Sequence, residues 1–514
     1  MWIKMGLVPA GTLWTLRKAV YGLRIAPRQW GLERDRQLKQ VSWMANGLKH
    51  RLVQCFNDSQ VWRIVAEHPD GSDPAVSSPG ETLGLLITYV DDFLLLMRNG
   101  NVKDGLIQTL RAIWTMSSQV DLVPNQPFTF LGLEMEKRDN GDIYMHQRGF
   151  ISKLLANHGL DPCSKGNQNV VMANPTESDG PPDAQLLKRL QGFSGEFNWL
   201  ATRTRPDLAY YTSVLASASS QHGDWSEQLA KKILRYILAT RDQGMLFSWG
   251  SPPPSSEITA VARHPVSPSA GESLDSKSKR PSISPAARLS VPPPAGSSLV
   301  PASEANDPHQ LIVWTDAGYG GVGTRSQTGI LISWAGAVVL SRSSKQSNAA
   351  LSTCESEVAA AAQGFVCVEG LKCLLLEWGV ELVAPILLID NKSALVVCDV
   401  GGTWRTRYFA VRAARLADEH RLGNVVLRYC RTDLMAADGL TKLASAQVMQ
   451  RLREILDGTF PKVEEVSTDV SLTDRTWMAS MIRWWVTIGK RGTSSTPTGV
   501  AARSHFHPAS EDEN

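Results

Sequence analysis

The chain of 514 residues lacks any Cys-x-x-Cys pair, and its seven cysteines are scattered, odd in number and without the Cys/His spacing that zinc requires. That excludes a disulfide framework and a zinc knuckle, and a reducing intracellular compartment, cytoplasm or nucleus, is expected in place of secretion. No basic region after Met1 leads into a continuous apolar core, so no signal peptide is expected. The longest apolar runs are broken by acids, as at Asp91 and Asp92 or Glu377 and Glu381, and no membrane span is expected. Neither sign of charge prevails: 53 Lys and Arg against 50 Asp and Glu give +3, so nucleic-acid binding has to come from local patches. The 43% of hydrophobic residues suffices for two to four globular domains, each with a core.

Residues 85–97, Leu-Leu-Ile-Thr-Tyr-Val-Asp-Asp-Phe-Leu-Leu-Leu-Met, set two adjacent carboxylates between apolar runs of strand length. The pattern predicts a hairpin buried on both faces, with Val90-Asp91-Asp92 at its tip. No Asn-Gly or Asp-Gly makes that bend, so the acids are not there for the turn. Burying two neighbouring carboxylates is costly and they repel each other; a divalent cation removes both objections. A solvated turn carrying two acids is the alternative. As metal ligands, Asp91 and Asp92 suit the two-Mg²⁺ chemistry of a polymerase.

Upstream, residues 16–30 interleave basic and aromatic side chains, and Arg17, Lys18, Arg24, Arg28 and Trp30 suit phosphate neutralisation and base stacking along a template strand. A solvated basic helix face fits them equally. Downstream, residues 128–135 and 142–146 each read as a strand, with Asn140-Gly141 as a tight turn between them. From about 251 to 309 the composition turns to Pro, Ser and Ala, with proline triplets near both ends, which predicts a flexible linker.

After it come apolar strands at 311–316, 329–334 and 337–341. Ser352-Thr353-Cys354-Glu355 is a capping box opening a helix to about Trp378, with Gly379 as its stop. Glu355 serves the cap, which leaves Glu357 for other work. A strand at 385–389 ends on Asp390, a helix over 412–422 stops at Gly423, a strand follows at 425–429, and Asp438 comes shortly after. This order describes a mixed sheet with helices packed on it. Asp316, Glu357, Asp390 and Asp438 lie on four separate elements and can converge on two Mg²⁺ about 3.5–4 Å apart, although any one alone is more often a cap or a surface acid.

Several of these segments carry a resemblance. Leu16 to Trp30 resembles the Leu-x-Lys-Ala-Leu-Tyr-Gly-Leu-Lys-Gln-Ala-Pro-Arg-x-Trp signature of copia-type LTR retrotransposon polymerases, and Tyr89-Val90-Asp91-Asp92 resembles their catalytic box. Asp316-Ala317, residues 352–357, Asp390-Asn391-Lys392-Ser393-Ala394 and residues 437–442 appear in the order of that family's RNase H patterns. The resemblance implies a multi-domain α/β and α+β fold: a partial reverse transcriptase with palm box over 1–165, thumb and connection over 166–250, the disordered linker over 251–309, an RNase H-like domain over 310–445, and a largely disordered tail over 446–514 holding an apolar, basic stretch near Trp484 and Trp485. It implies catalytic and metal-binding roles for Asp91, Asp92, Asp316, Glu357, Asp390 and Asp438, with Mg²⁺ or alternatively Mn²⁺ as cofactor. RNA–DNA hybrid, RNA template and DNA primer are the partners implied, gripped also by Lys345, Gln346, Arg405 and Arg407.

The sequence departs from the family in three places. The linker is long, Cys430 and Arg431 stand where the family has Val and Pro, and the palm's third aspartate would precede Trp2, so polymerase activity is not expected of this sequence by itself. A protease motif and an integrase region are absent. The expected function is a Pol polyprotein fragment with RNase H-type nuclease activity, the alternative being a catalytically inactive nucleic-acid-binding remnant or a truncated gene model.

Overall fold

A computed structural model describes residues 22–67, 82–98, 100–161, 163–176, 180–248, 309–321, 323–401 and 406–460. Arg17, Lys18, Arg405, the Pro/Ser-rich stretch up to 308 and the Trp484-Trp485 stretch lie outside the described residues. The described chain is mixed α/β, with several sheets.

The first sheet is an antiparallel meander in chain order: β1 (Ser42–Ala45), β2 (Leu48–Gln54), β3 (Val61–Ala66), β4 (Gly84–Tyr89) and β5 (Asp92–Met97). Side chains of a strand alternate between faces, and the central strands serve two cores. Trp62, Ile64 and Leu86 pack with Leu38 of helix α1 (Ala26–Leu38) and with Leu106 and Leu110 of helix α2 (Asn101–Ile113). Val61, Leu85 and Ile87 join the larger core that continues into the C-terminal half.

The hairpin is where it was expected, with Tyr89 opposite Asp92 and Val90-Asp91 as a two-residue turn. Its burial differs. β4 is buried, whereas β5 is the outer strand and its residues are exposed or half-exposed. An apolar run signals burial but does not say whether a neighbouring strand covers the edge.

A second antiparallel sheet orders β6 (Phe128–Phe130), β7 (Leu133–Lys137), β8 (Ile143–His146) and β9 (Met245–Phe247). Residues 128–135 are therefore two strands where the sequence suggested one. Leu131 and Gly132 both take positive φ, +52° and +76°, and fold the run back so that Phe130 faces Leu133. Beside it lie helices α3 (Arg148–Asn157), α4 (Ala184–Ala201), α5 (Ala209–Ala218) and α6 (Gly223–Ala239), sharing a core with Phe197, Tyr211 and Tyr236 at its centre. Within it Arg205 and Asp207 form a fully buried ion pair at 2.8 Å, and Tyr236 Oη donates to Asp207 Oδ2 at 2.7 Å.

The third sheet has the order β12-β11-β10-β13-β14. β10 (Leu311–Gly318), β11 (Gln327–Trp334) and β12 (Ala337–Lys345) are antiparallel, while β13 (Ile386–Ile389) and β14 (Val426–Tyr429) run parallel to β10. The parallel pairings need crossovers, supplied by helices α7 (Thr353–Glu377), α8 (Lys392–Val400) and α9 (Ala410–Arg421). By length and composition α7 could cross a membrane, but 56% of its apolar window is buried inside the protein, where it packs on β10 and β11. At its far end Glu377 accepts hydrogen bonds from the backbone N–H of Phe56 and of Asn57, the latter at 3.0 Å, and so ties this unit to the first sheet.

Residues 446–460, the start of the stretch expected as a largely disordered tail, are ordered, and 461–514 lie outside the described residues. Helix α10 (Ala446–Leu456) buries Met449, Leu452, Ile455 and Leu456, and Arg453 Nη1 donates to Tyr236 Oη at 2.9 Å. The apolar positions at 449, 452, 455 and 456 follow helical spacing, and Ser445 caps the helix.

Candidate metal centre

Hydrogen bonding along β10 and β13 brings two acids to neighbouring strand ends. Asp316 sits opposite Gly329 near the end of β10, and Asp390 follows the last residue of β13, which pairs with Thr315. Asn391 then caps α8 by accepting from Ala394 N–H at 3.0 Å, and this fixes the chain direction just after Asp390.

The third acid depends on the start of α7. Glu355 N–H donates to Ser352 Oγ at 3.1 Å, and the Glu355 carboxylate accepts from Leu351 N–H at 2.7 Å. With Glu355 occupied in this cap, Glu357 points inward. Asp316, Glu357 and Asp390 each offer an oxygen within 4.8 Å of the others.

Asp438 arrives on the 3₁₀ turn Ala436–Leu440. That turn packs closely on the sheet. A Cβ on Gly318 would lie 2.2 Å from Thr441 O, so only glycine allows the approach. The Thr441 hydroxyl donates to Asp316 Oδ2, and Lys442 Nζ sits 2.8 Å from Asp438 Oδ1. Cys430 and Arg431 do not disturb this arrangement. Cys430 is buried in the core, and Arg431 forms a two-pronged pair with Asp433 at 2.9 Å.

Asp316, Glu357 and Asp438 are all nearly buried. Burial, reinforced by Asp316 and Asp390, pushes the Glu357 carboxyl up to about 9. Burial and Asp316 raise Asp438 to about 7, with Lys442 opposing, and burial and Asp316 raise Asp390 as well. Glu357 Oε2 is buried and has no hydrogen-bond partner among the described residues. Clustered carboxylates with an orphaned oxygen are what a hard divalent cation requires, so these residues fit Mg²⁺ or Mn²⁺.

The other predicted site residues are placed differently. Asp91 is half-buried and Asp92 exposed, and burial followed by the neighbouring Asp92 raises the Asp91 carboxyl. Among the described residues they belong to no three-acid cluster. Val90 takes φ +51°, costly for a β-branched residue, and its carbonyl is held by Trp30 Nε1 at 2.9 Å and by Arg34 Nη1 at 3.3 Å. Trp30 thus braces the turn, and its ring meets Trp114 edge-on at 6.4 Å. Arg34 carries no sequence signal apart from its place among other basic residues.

Arg24, Arg28 and Arg407 are exposed, and Lys345 is half-buried. Gln346 is 5% exposed, and its amide N–H groups donate to Thr328 Oγ1 at 3.1 Å and to Ser356 O at 2.9 Å, which ties the end of β12 to β11 and α7 and leaves neither N–H for a phosphate. Lys442 was not singled out from sequence, although its spacing of four from Asp438 is a readable ion-pair signal.

No family model matches the chain. A transposon Ty5-1 protein of Saccharomyces cerevisiae is 22% identical over 241 residues, 46% of this chain and 69% of that protein. Two retrovirus-related Pol polyproteins of Arabidopsis thaliana, from transposons RE1 and RE2, are each 24% identical over 246 residues. The chain is similar to copia-type retrotransposon Pol polyproteins. The match spans 46% of this chain but only 14% of each Arabidopsis polyprotein. Among solved structures, the N-terminal RNase H domain of a Mycobacterium tuberculosis protein fused to maltose-binding protein is 21% identical, covering 24% of this chain and 86% of that one. The TM-score is 0.17.

Proposed function

We propose that the unit built on the third sheet is a divalent-metal-dependent nuclease that cleaves RNA within RNA–DNA hybrids, and that the first two sheets with α3–α6 are reverse-transcriptase palm, thumb and connection. The observation that carries the nuclease reading is the convergence of Asp316, Glu357 and Asp390 within 4.8 Å, with Glu357 Oε2 buried and unpartnered. Similarity to Pol polyproteins supports the substrate class. Two cations held by these acids and by Asp438 would supply an activated water and charge neutralisation at the leaving oxygen.

The chain's own residues prepare for this. Asp316 is oriented by Thr441, Asp390 by the cap that Asn391 makes, and Glu357 by the first turn of α7. Lys442 balances the charge of Asp438. Asp91 and Asp92 are proposed as palm ligands, without a polymerase activity resting on these two alone.

The test is Mg²⁺-dependent cleavage of a labelled RNA–DNA hybrid by the purified chain, beside Asp390→Asn and a single-stranded RNA control. Hybrid-specific cleavage lost in the variant supports the reading. A folded chain that binds hybrid and cleaves none would sink it and leave an inactive nucleic-acid-binding remnant.

A further inference from the structure

Helix α7 is apolar on its outward face as well as on the face that packs against β10 and β11. Ala362, Val366, Cys373 and Leu376 follow one another at helical spacing on that outward face, with Val366 70% and Leu376 47% exposed and Cys373 open to solvent. The stripe is about 20 Å long. It continues past the helix end onto Phe56, 95% exposed, whose backbone N–H is held by Glu377. A contiguous apolar patch of this kind marks a docking surface.

Two features say what covers it. Gly370, exposed in the middle of the helix, has no atom of the described residues within 4 Å of where a Cβ would stand, so nothing within one chain calls for a residue that costs helix stability. A second helix crossing there does call for it, because glycine lets two backbones approach closely. The charges of the face also complement themselves. Glu369 and Lys372, paired at 2.8 Å within the helix, stand beside the stripe, while Glu377 is spent on the backbone of Phe56 and Asn57. In an antiparallel pair with its two-fold axis near Gly370, Glu369 meets the partner's Lys372 and Val366 meets the partner's Leu376. Lys372 is the one cation in the 25 residues of α7, which is not the basic face that a lipid surface selects. Phe460, where the described chain ends, stacks on Trp314 at 6.0 Å, on the side of β10 away from α7, since Val313 and Thr315 are the residues that meet Gly364 of α7.

We propose that the outward face of α7 is an isologous interface, at which two copies of this chain pair through antiparallel α7 helices crossing at Gly370. Pairing buries Val366, Cys373, Leu376 and Phe56 of both copies. Glu357 points inward from the same helix, so pairing leaves the acid cluster open and is independent of the nuclease chemistry. One helix face with a neighbouring phenylalanine is a small interface, so the dimer forms in a concentration-dependent way.

The experiment measures the mass of the full chain by light scattering over roughly a hundredfold range of concentration, with a short bis-maleimide as a probe of Cys373. The mass is expected to rise from one chain to two, and a cross-linked dimer is expected that Cys373→Ser loses. Val366→Glu changes a side chain open to solvent, so it is expected to weaken pairing about tenfold or more while the melting temperature of the dilute chain stays at the wild-type value. Lys372→Glu sets like charges against each other and is expected to weaken pairing severalfold. Adding Glu369→Lys to it should restore pairing, a recovery that a merely unstable variant cannot show. A wild-type chain that keeps the mass of one copy at every concentration overturns the proposal; if maleimide then fails to label Cys373 as well, other residues of the same chain cover the face. A dimer that survives Val366→Glu unchanged is formed through another surface and overturns it too.

Discussion

Lys442 Nζ lies 2.8 Å from Asp438 Oδ1, four residues back along the chain, so the acid cluster carries its own counter-charge. The ammonium is about half exposed, so the pair itself is worth no more than about 1 kcal/mol. Its larger effect is on cations. Lys442→Met is expected to lower the melting temperature of the metal-free chain slightly and to tighten Mg²⁺ binding severalfold, read by titration calorimetry. Weaker Mg²⁺ binding in the variant would show that Lys442 supports the cations and does not compete with them.

The raised acids predict how stability follows pH. Glu357 titrates at about 9 in the folded chain against an ordinary value of 4.5, and Asp438 at about 7 against 3.8. The folded state therefore holds more protons than the unfolded one between roughly pH 4 and 9. Stability from these groups is complete below the unfolded values and is lost as pH rises through the folded ones. In EDTA, the urea midpoint should fall from pH 5 to pH 9, and Glu357→Gln should flatten that fall. Saturating Mg²⁺ should restore stability most at the alkaline end. A flat wild-type profile in EDTA contradicts the burial argument.

Arg34 offers a test at the other acid pair. It is 3% exposed, pairs with Asp35 at 2.8 Å and holds the Val90 carbonyl. Arg34→Met leaves Asp35 without its buried partner and is expected to cost about 3 kcal/mol by urea unfolding. Val90→Gly should act in the opposite direction at the same turn, because φ +51° suits glycine and the side chain is half exposed. A loss of stability in Val90→Gly would mean that the valine packs better than its exposure indicates.

The buried network of Arg205, Asp207, Tyr236 and Arg453 couples the helical unit to α10. Asp207→Asn is expected to cost about 3–5 kcal/mol, since it strands a fully buried guanidinium. Truncation after residue 445 removes Arg453 and the buried face of α10, and should lower the melting temperature by several degrees. An unchanged melting temperature would show that the unit built on the third sheet is complete without α10.

Much of this was legible in the chain. The strands of residues 311–429 and the helices ending near Trp378 and Leu422 were readable because apolar periodicity, the Ser352 cap and the glycine stops at Gly379 and Gly423 are local signals, whereas α8 was not expected. The hairpin tip at Asp91 was legible for the same reason. The paired positive φ angles at Leu131 and Gly132 were missed, because a continuous apolar run hides a turn made without polar residues.

By itself, then, the sequence determined which acids stand at element ends and which glutamate, Glu355 or Glu357, is free of the cap. Only the tertiary structure decided that β5 lies at a sheet edge, that the Gln346 amide N–H groups are spent inside the fold, and that Tyr210 of α5 lines a cavity together with Asp316. Backbone signals act over a few residues and are written locally. Burial and cavity walls join residues that can lie more than a hundred positions apart, as with Tyr210 and Asp316, and are set only when the chain packs.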